Sequence, residues 1–166
     1  MRRWIVGVSA LLLCASAARS QAPAQAVRFD LVTYKQLGNE IKKLQGQVVL
    51  VDFWADYCSP CKQKFPYVTA LQRKYAKDGL AVVTVSVDDV TDPEVRERVK
   101  AFLQQQQATT RNLLLAEKPE VWIAKLKMNS IPSMFLFDRE GRLINRWTGN
   151  DLDLNVIEKR IEELLR

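Results

Sequence analysis

Two apolar runs constrain this chain more than any other feature: VVLVDFW at residues 48–54 and LAVVTVSV at residues 80–87. Both are continuous and rich in β-branched side chains. The first follows Gly46-Gln47 and the second follows Gly79. Runs of this kind, without polar alternation, belong to strands covered on both faces. Between them Phe65, Val68, Leu71 and Tyr75 recur at helical spacing through Asp78. Strand, helix and strand in that order make the two strands parallel neighbours in one sheet.

The remaining segments extend this unit. Residues 22–28 read as a linker or an entering extended arm. Leu37, Ile41 and Leu44 mark a short amphipathic helix closed by Gly46. Asp92-Pro93 opens a helix that ends in the solvated glutamine run 104–107, and residues 112–116 follow as a short strand. Pro119 starts another helix, through about Leu126. Residues 134–137 and 142–147 predict two strands joined by a turn with Gly141 late in the loop. Leu154, Ile157, Ile161, Leu164 and Leu165 form the stripe of a final helix. The expected class is α/β, a mixed sheet with helices on both faces. A length of 166 residues, 48% of them hydrophobic, suits one domain with a full core.

The first residues follow a different logic. Arg2 and Arg3 precede an apolar stretch from Trp4 to about Ala15, and small residues lead to Arg19-Ser20-Gln21. That order predicts a signal peptide over residues 1–22, a mature domain over 23–166, and export to a periplasmic or cell-surface location. Cleavage after Ala17, Ser20 or Ala22 fits, although Pro23 disfavours the last. The apolar run falls short of the roughly 20 residues that span a membrane. Cys14 follows Leu13 rather than the small residue a lipidated cysteine prefers, so an ordinary signal-peptide cysteine is the favoured reading. Without Arg2, Arg3 and Arg19 the net charge falls from +6 to +3. With no basic stripe and no interleaved aromatics, no nucleic-acid partner is expected.

Chemistry concentrates at Cys58-Ser59-Pro60-Cys61. A zinc site takes about four ligands, and the chain has no histidine and three cysteines, so no metal is expected. A purely structural bridge would close a loop of four residues, for roughly 2 kcal/mol against about 4.7 for a 100-residue loop. The context favours redox work over that bridge, because the pair follows a buried strand at the start of a helix. Unpaired N–H groups there stabilise a thiolate on Cys58. A thiol with a pKa near 8.5 is about 3% ionised at pH 7, and one near 7 is about half ionised. Cys58, at the exposed helix tip, is the expected attacking sulfur, and Cys61, one turn further in, the resolving one. Asp52 lies inside an apolar strand. Its pKa is expected to rise towards neutrality, unless structural hydrogen bonds satisfy the carboxylate.

Residues 51–62, VDFWADYCSPCK, resemble the active-site segment of thioredoxins. Pro66 matches that family's helix-kinking proline, Ile131-Pro132 its cis-proline, and Gly149 the glycine after its last strand. The resemblance runs from about Val48 to Leu165 and implies a thioredoxin fold. It implies that Asp52 exchanges a proton with Cys61. It assigns Ile131, Pro132, Trp54 and Tyr57 to the substrate side of the site, Trp54 by packing beneath the turn formed by Ser59 and Pro60. Ile131 would offer backbone hydrogen bonds to an extended substrate strand.

Residues 88–118 are longer than the matching piece of a small thioredoxin, which implies a helix–strand insertion. Together with export, this resembles the branch that includes TlpA and ResA. That branch reduces disulfides in exported proteins, notably cytochrome c precursors, with electrons from a membrane dithiol donor. No cofactor beyond the redox-active disulfide is implied. Lys64, Thr84 and Tyr57 depart from the pattern, standing where glutamate, lysine and tryptophan are usual. A disulfide oxidase or isomerase, and a copper-binding module, are the alternatives; Ser59-Pro60 leans towards reducing members.

Overall fold

A computed structural model describes residues 27–149 and 152–166. The predicted signal peptide and Cys14 lie outside the described residues. Residues 48–54 and 80–86 form strands in which every residue is buried. They pair in parallel from Val48–Leu80 to Trp54–Ser86.

In chain order the elements are β1 (Phe29–Val32), α1 (Tyr34–Lys42), β2 (Val48–Trp54), α2 (Ser59–Tyr75), β3 (Leu80–Ser86) and α3 (Pro93–Gln105). Then come β4 (Arg111–Leu115), α4 (Pro119–Leu126), β5 (Ser133–Phe137), β6 (Leu143–Thr148) and α5 (Leu154–Leu165). The six strands form one sheet in the order β1-β4-β3-β2-β5-β6. The β1, β4, β3 and β2 neighbours run parallel. β5 runs antiparallel to β2, and β6 antiparallel to β5. The α/β expectation is met, and α3 with β4 forms the expected insertion.

Alternation along β2 divides the core. Val49, Val51 and Phe53 pack with Leu37 of α1, Leu126 of α4 and Phe135 of β5. Val48 and Leu50 pack with Val68 and Leu71 of α2 and with Ile157 and Ile161 of α5. Helices therefore cover both faces of the sheet. Gly79, at φ 100°, closes the short 3-10 turn after α2, a backbone region where a side chain would be strained.

Three sequence expectations change. β1 is a strand that local pattern did not reveal. Two of its four residues are exposed and only one is buried, and its order comes from pairing with β4. α1 starts earlier than its apolar stripe suggests, because Thr33 caps it reciprocally with Gln36. Leu44 falls in the turn after α1 yet still packs on the core.

Candidate active site

β2 delivers the chain to the rim of the sheet at Trp54, and residues 55–57 turn it into α2. Cys58 is the N-cap of that helix, in extended backbone. Its sulfur accepts a hydrogen bond from the Cys61 N–H at 3.3 Å. The two cysteines are joined as a disulfide, with their Cα atoms 5.3 Å apart. The sulfur thus faces the unpaired amides of a helix start, where partial positive charge favours a thiolate once the bond is reduced. Pro60 occupies the first turn of α2, where a missing N–H removes no hydrogen bond.

Exposure at this turn differs from the expectation. Cys58 sits at the helix tip but is only 7% exposed, and Cys61 is 2% exposed. Tyr57, at 73%, carries the exposed surface instead, with Ser59 and Pro60 beside it. Trp54 is 1% exposed and lies beneath the turn rather than on its surface. Its indole packs against Phe65 and Phe102, with ring centres 5.1 and 5.0 Å away, and it supports the turn from below.

Asp52 lies on the α2 side of β2, the side of Val48 and Leu50. Cys61 stands in the first turn of α2. Asp52 is 3% exposed, and burial alone pushes its carboxyl up to about 7. Its strand neighbours are Thr84 and Met134. The Thr84 hydroxyl is turned away, donating to Asn112 Oδ1 at 2.8 Å. Among the described residues no cation offsets the burial.

The Ile131–Pro132 peptide is cis. Pro132 is buried and Ile131 half-buried. The register pairs Ser133 with Phe53, which sets Pro132 level with Trp54, at the end of the sheet where the cysteine turn begins. The Gly149 N–H donates to the Pro132 carbonyl at 2.8 Å. Ser133 Oγ donates to the Ser130 carbonyl at 2.7 Å. These bonds fix the loop.

One part of the site escaped the sequence. The Asp56 N–H donates to both carboxylate oxygens of Asp88, at 3.1 and 2.9 Å. Asp88 is 4% exposed and also accepts from the Ser86 hydroxyl at 2.7 Å. Burial pushes its carboxyl up, against those hydrogen bonds. The Asp56 carboxylate meets Lys62 Nζ at 3.0 Å and Arg98 Nε at 2.9 Å. Although burial opposes it, the two cations hold this carboxyl below its usual range. The one local signal was an acid directly after the apolar run, at Val87-Asp88. Among the described residues no group of three or more His, Cys, Asp or Glu side chains is placed to hold a metal ion.

A disulfide from the N-cap of α2 to its first turn, with a cis-proline at the same end of a six-stranded mixed sheet, defines a thioredoxin-like protein. The chain belongs to the AhpC/TSA family, whose model matches residues 22–146. It is 26% identical to the thiol-disulfide oxidoreductase ResA of Bacillus cereus over 110 residues, 66% of this chain and 60% of ResA. The match thus spans less than two thirds of that relative's length. It is 28% identical to the thioredoxin-like protein YneN of Bacillus subtilis over 153 residues, 85% of this chain and 86% of YneN. Among solved structures, a Chlorobium tepidum protein assigned as the thiol:disulfide interchange protein DsbE superposes with a TM-score of 0.65. It is 28% identical, and the match covers 76% of this chain and 85% of that one.

Proposed function

We propose that this protein is an exported thiol–disulfide oxidoreductase that reduces disulfides in extracytoplasmic proteins. The observation that carries the reading is the Cys58 sulfur at a helix N-cap, within hydrogen-bond reach of the Cys61 N–H. The similarity to the thiol-disulfide oxidoreductase ResA and to the Chlorobium tepidum thiol:disulfide interchange protein supports the same chemistry. Export rests on the basic, apolar and small-residue order of residues 1–22. Among the described residues no helix is long and apolar enough to cross a membrane.

In the proposed reaction the Cys58 thiolate attacks one sulfur of a substrate disulfide. That bond breaks, and the other substrate sulfur leaves as a thiolate and takes a proton. Asp52, charged, removes the proton of Cys61. Cys61 then attacks the Cys58 sulfur, the mixed bond breaks, and the second substrate sulfur leaves. Two electrons have passed from the enzyme dithiol to the substrate, and the Cys58–Cys61 bond is formed. A membrane dithiol donor restores the pair by the same exchange in reverse. Tyr57, Ile131 and Pro132 frame the surface on which an extended substrate would lie.

The test is the reduction potential of Cys58–Cys61 in a glutathione or dithiothreitol series. A value near −250 mV or lower supports the reductase, and one of about −120 to −180 mV moves the assignment to oxidase or isomerase. Cys61→Ala is expected to trap a mixed disulfide with the natural substrate, and Cys58→Ala to abolish turnover. Recovery of no covalent partner counts against the mechanism. Tight binding of one equivalent of Cu(I), with no exchange activity, would favour the copper-binding alternative.

A further inference from the structure

The Asp56 carboxylate is a node at which three elements meet. Its amide is fixed by Asp88, from the connection after β3. One carboxylate oxygen pairs with Lys62 of α2 and the other with Arg98 of α3. Lys62 also donates to the Asp56 carbonyl at 3.0 Å, and its ammonium lies 5.4 Å from the centre of the Phe102 ring. Asp56 precedes Cys58 by two residues. Lys62 follows it by one helical turn, its N–H donating to the Cys58 carbonyl at 3.1 Å. The charged groups around the Cys58 turn are thus Asp56, Lys62, Arg98 and Asp88, with Asp52 beneath.

The Asp56 side chain is 15% exposed, so its pairs are less screened than ordinary surface pairs. Two cations converge on one carboxylate, and both make their side-chain ion pairs there. We propose that Asp56 tunes how strongly the Cys58–Cys61 pair holds electrons, by neutralising Lys62 and Arg98 at the turn that carries Cys58. The inference deepens the dithiol-exchange reading and rests on it. Asp56 itself touches neither substrate nor the reacting sulfurs; it is a positioning residue acting through charge.

The sign follows from the two redox states. The disulfide is neutral, whereas the reduced pair carries a thiolate fraction on Cys58. Unmasked positive charge stabilises that thiolate, hence the reduced form. Asp56→Asn is therefore expected to shift the equilibrium with glutathione about threefold to tenfold towards the dithiol. Lys62→Gln and Arg98→Gln are expected to shift it by similar factors towards the disulfide. A tenfold shift is about 30 mV for this two-electron couple.

The experiment measures that equilibrium, and the pH profile of Cys58 alkylation, for the mature chain and the three variants. Opposite signs for the acid and the two bases, with Asp56→Asn/Arg98→Gln returning near the parent value, support the proposal. If the cluster only braces the turn, every variant loosens it and all shift in one direction, which overturns the proposal. Shifts below about twofold overturn it as well. Should Asp56→Asn fail to fold, Arg98→Gln decides, since that side chain is 53% exposed and its loss leaves no hole in the core. A parent chain with no reversible thiol–disulfide equilibrium refutes the functional reading itself. A parent that titrates normally, with unmoved variants, refutes this inference alone.

Discussion

Replacing Asp52 with asparagine exchanges a carboxyl for a neutral carboxamide of nearly equal size inside β2. The carboxyl ionises near 3.8 in water and near 7 in its buried place. Holding the charged form in the folded chain therefore costs about 4 kcal/mol at the limit. The sign follows by linkage. Between those two values the native state binds more protons than the unfolded state, so stability falls as pH rises. Below about pH 4 both states are protonated and the cost vanishes; above about pH 7 it is fully present. Asp52→Asn is thus expected to change stability little at about pH 4 and to gain up to about 4 kcal/mol at about pH 8.5. The assay is denaturant unfolding of the oxidised chain across that range, so that neither cysteine titrates. A difference between the two proteins that stays flat with pH would refute the reasoning, since it would mean that the carboxylate keeps its solvation or finds a partner.

The same substitution is expected to slow resolution by Cys61 more than attack by Cys58; equal slowing in rapid-mixing kinetics would remove the proton-transfer role. Phe102→Ala should destabilise by about 3 kcal/mol, because that ring packs on both Trp54 and Phe65; denaturant midpoints measure it. Glu158→Gln should loosen α5 from α2, since Lys74, Tyr67 and Tyr75 all bond to Glu158. Lys74 first, then the Tyr67 hydroxyl, holds this carboxyl down at about 2 from an ordinary 4.5. Its contribution is present above 4.5 and lost as pH falls towards 2, so the gap between parent and variant should close over that acid range in thermal melts.

The two central strands were legible because burial on both faces leaves an unbroken apolar run, and Asp52 stood out as the acid inside one of them. The cysteine pair was legible from its spacing together with its place after a buried strand, at the start of a helix. β1 was not, since a four-residue edge strand takes its order from a partner some 80 residues away. The cover over Cys58 was equally hidden, because accessibility depends on the folded surroundings and not on a place at a helix tip. The Asp56 cluster joins residues 32 and 42 positions apart. Read singly, Asp56, Lys62 and Arg98 look like solvated charges. Only the packing of α3 over the turn brings them together.

The reversal of strand direction between β3 and β5, on either side of β2, has a geometric consequence. Because β5 is antiparallel, its beginning rather than its end lies beside the last residues of β2. A parallel β5 of the same five residues would carry Pro132 from the level of Trp54 to that of Val48, at the opposite rim of the sheet, about 20 Å away at 3.3 Å per residue. The cysteine turn would then face open solvent on that side. One inverted strand thus sets two loops, separated by some 70 residues of sequence, as the two jaws of a single mouth.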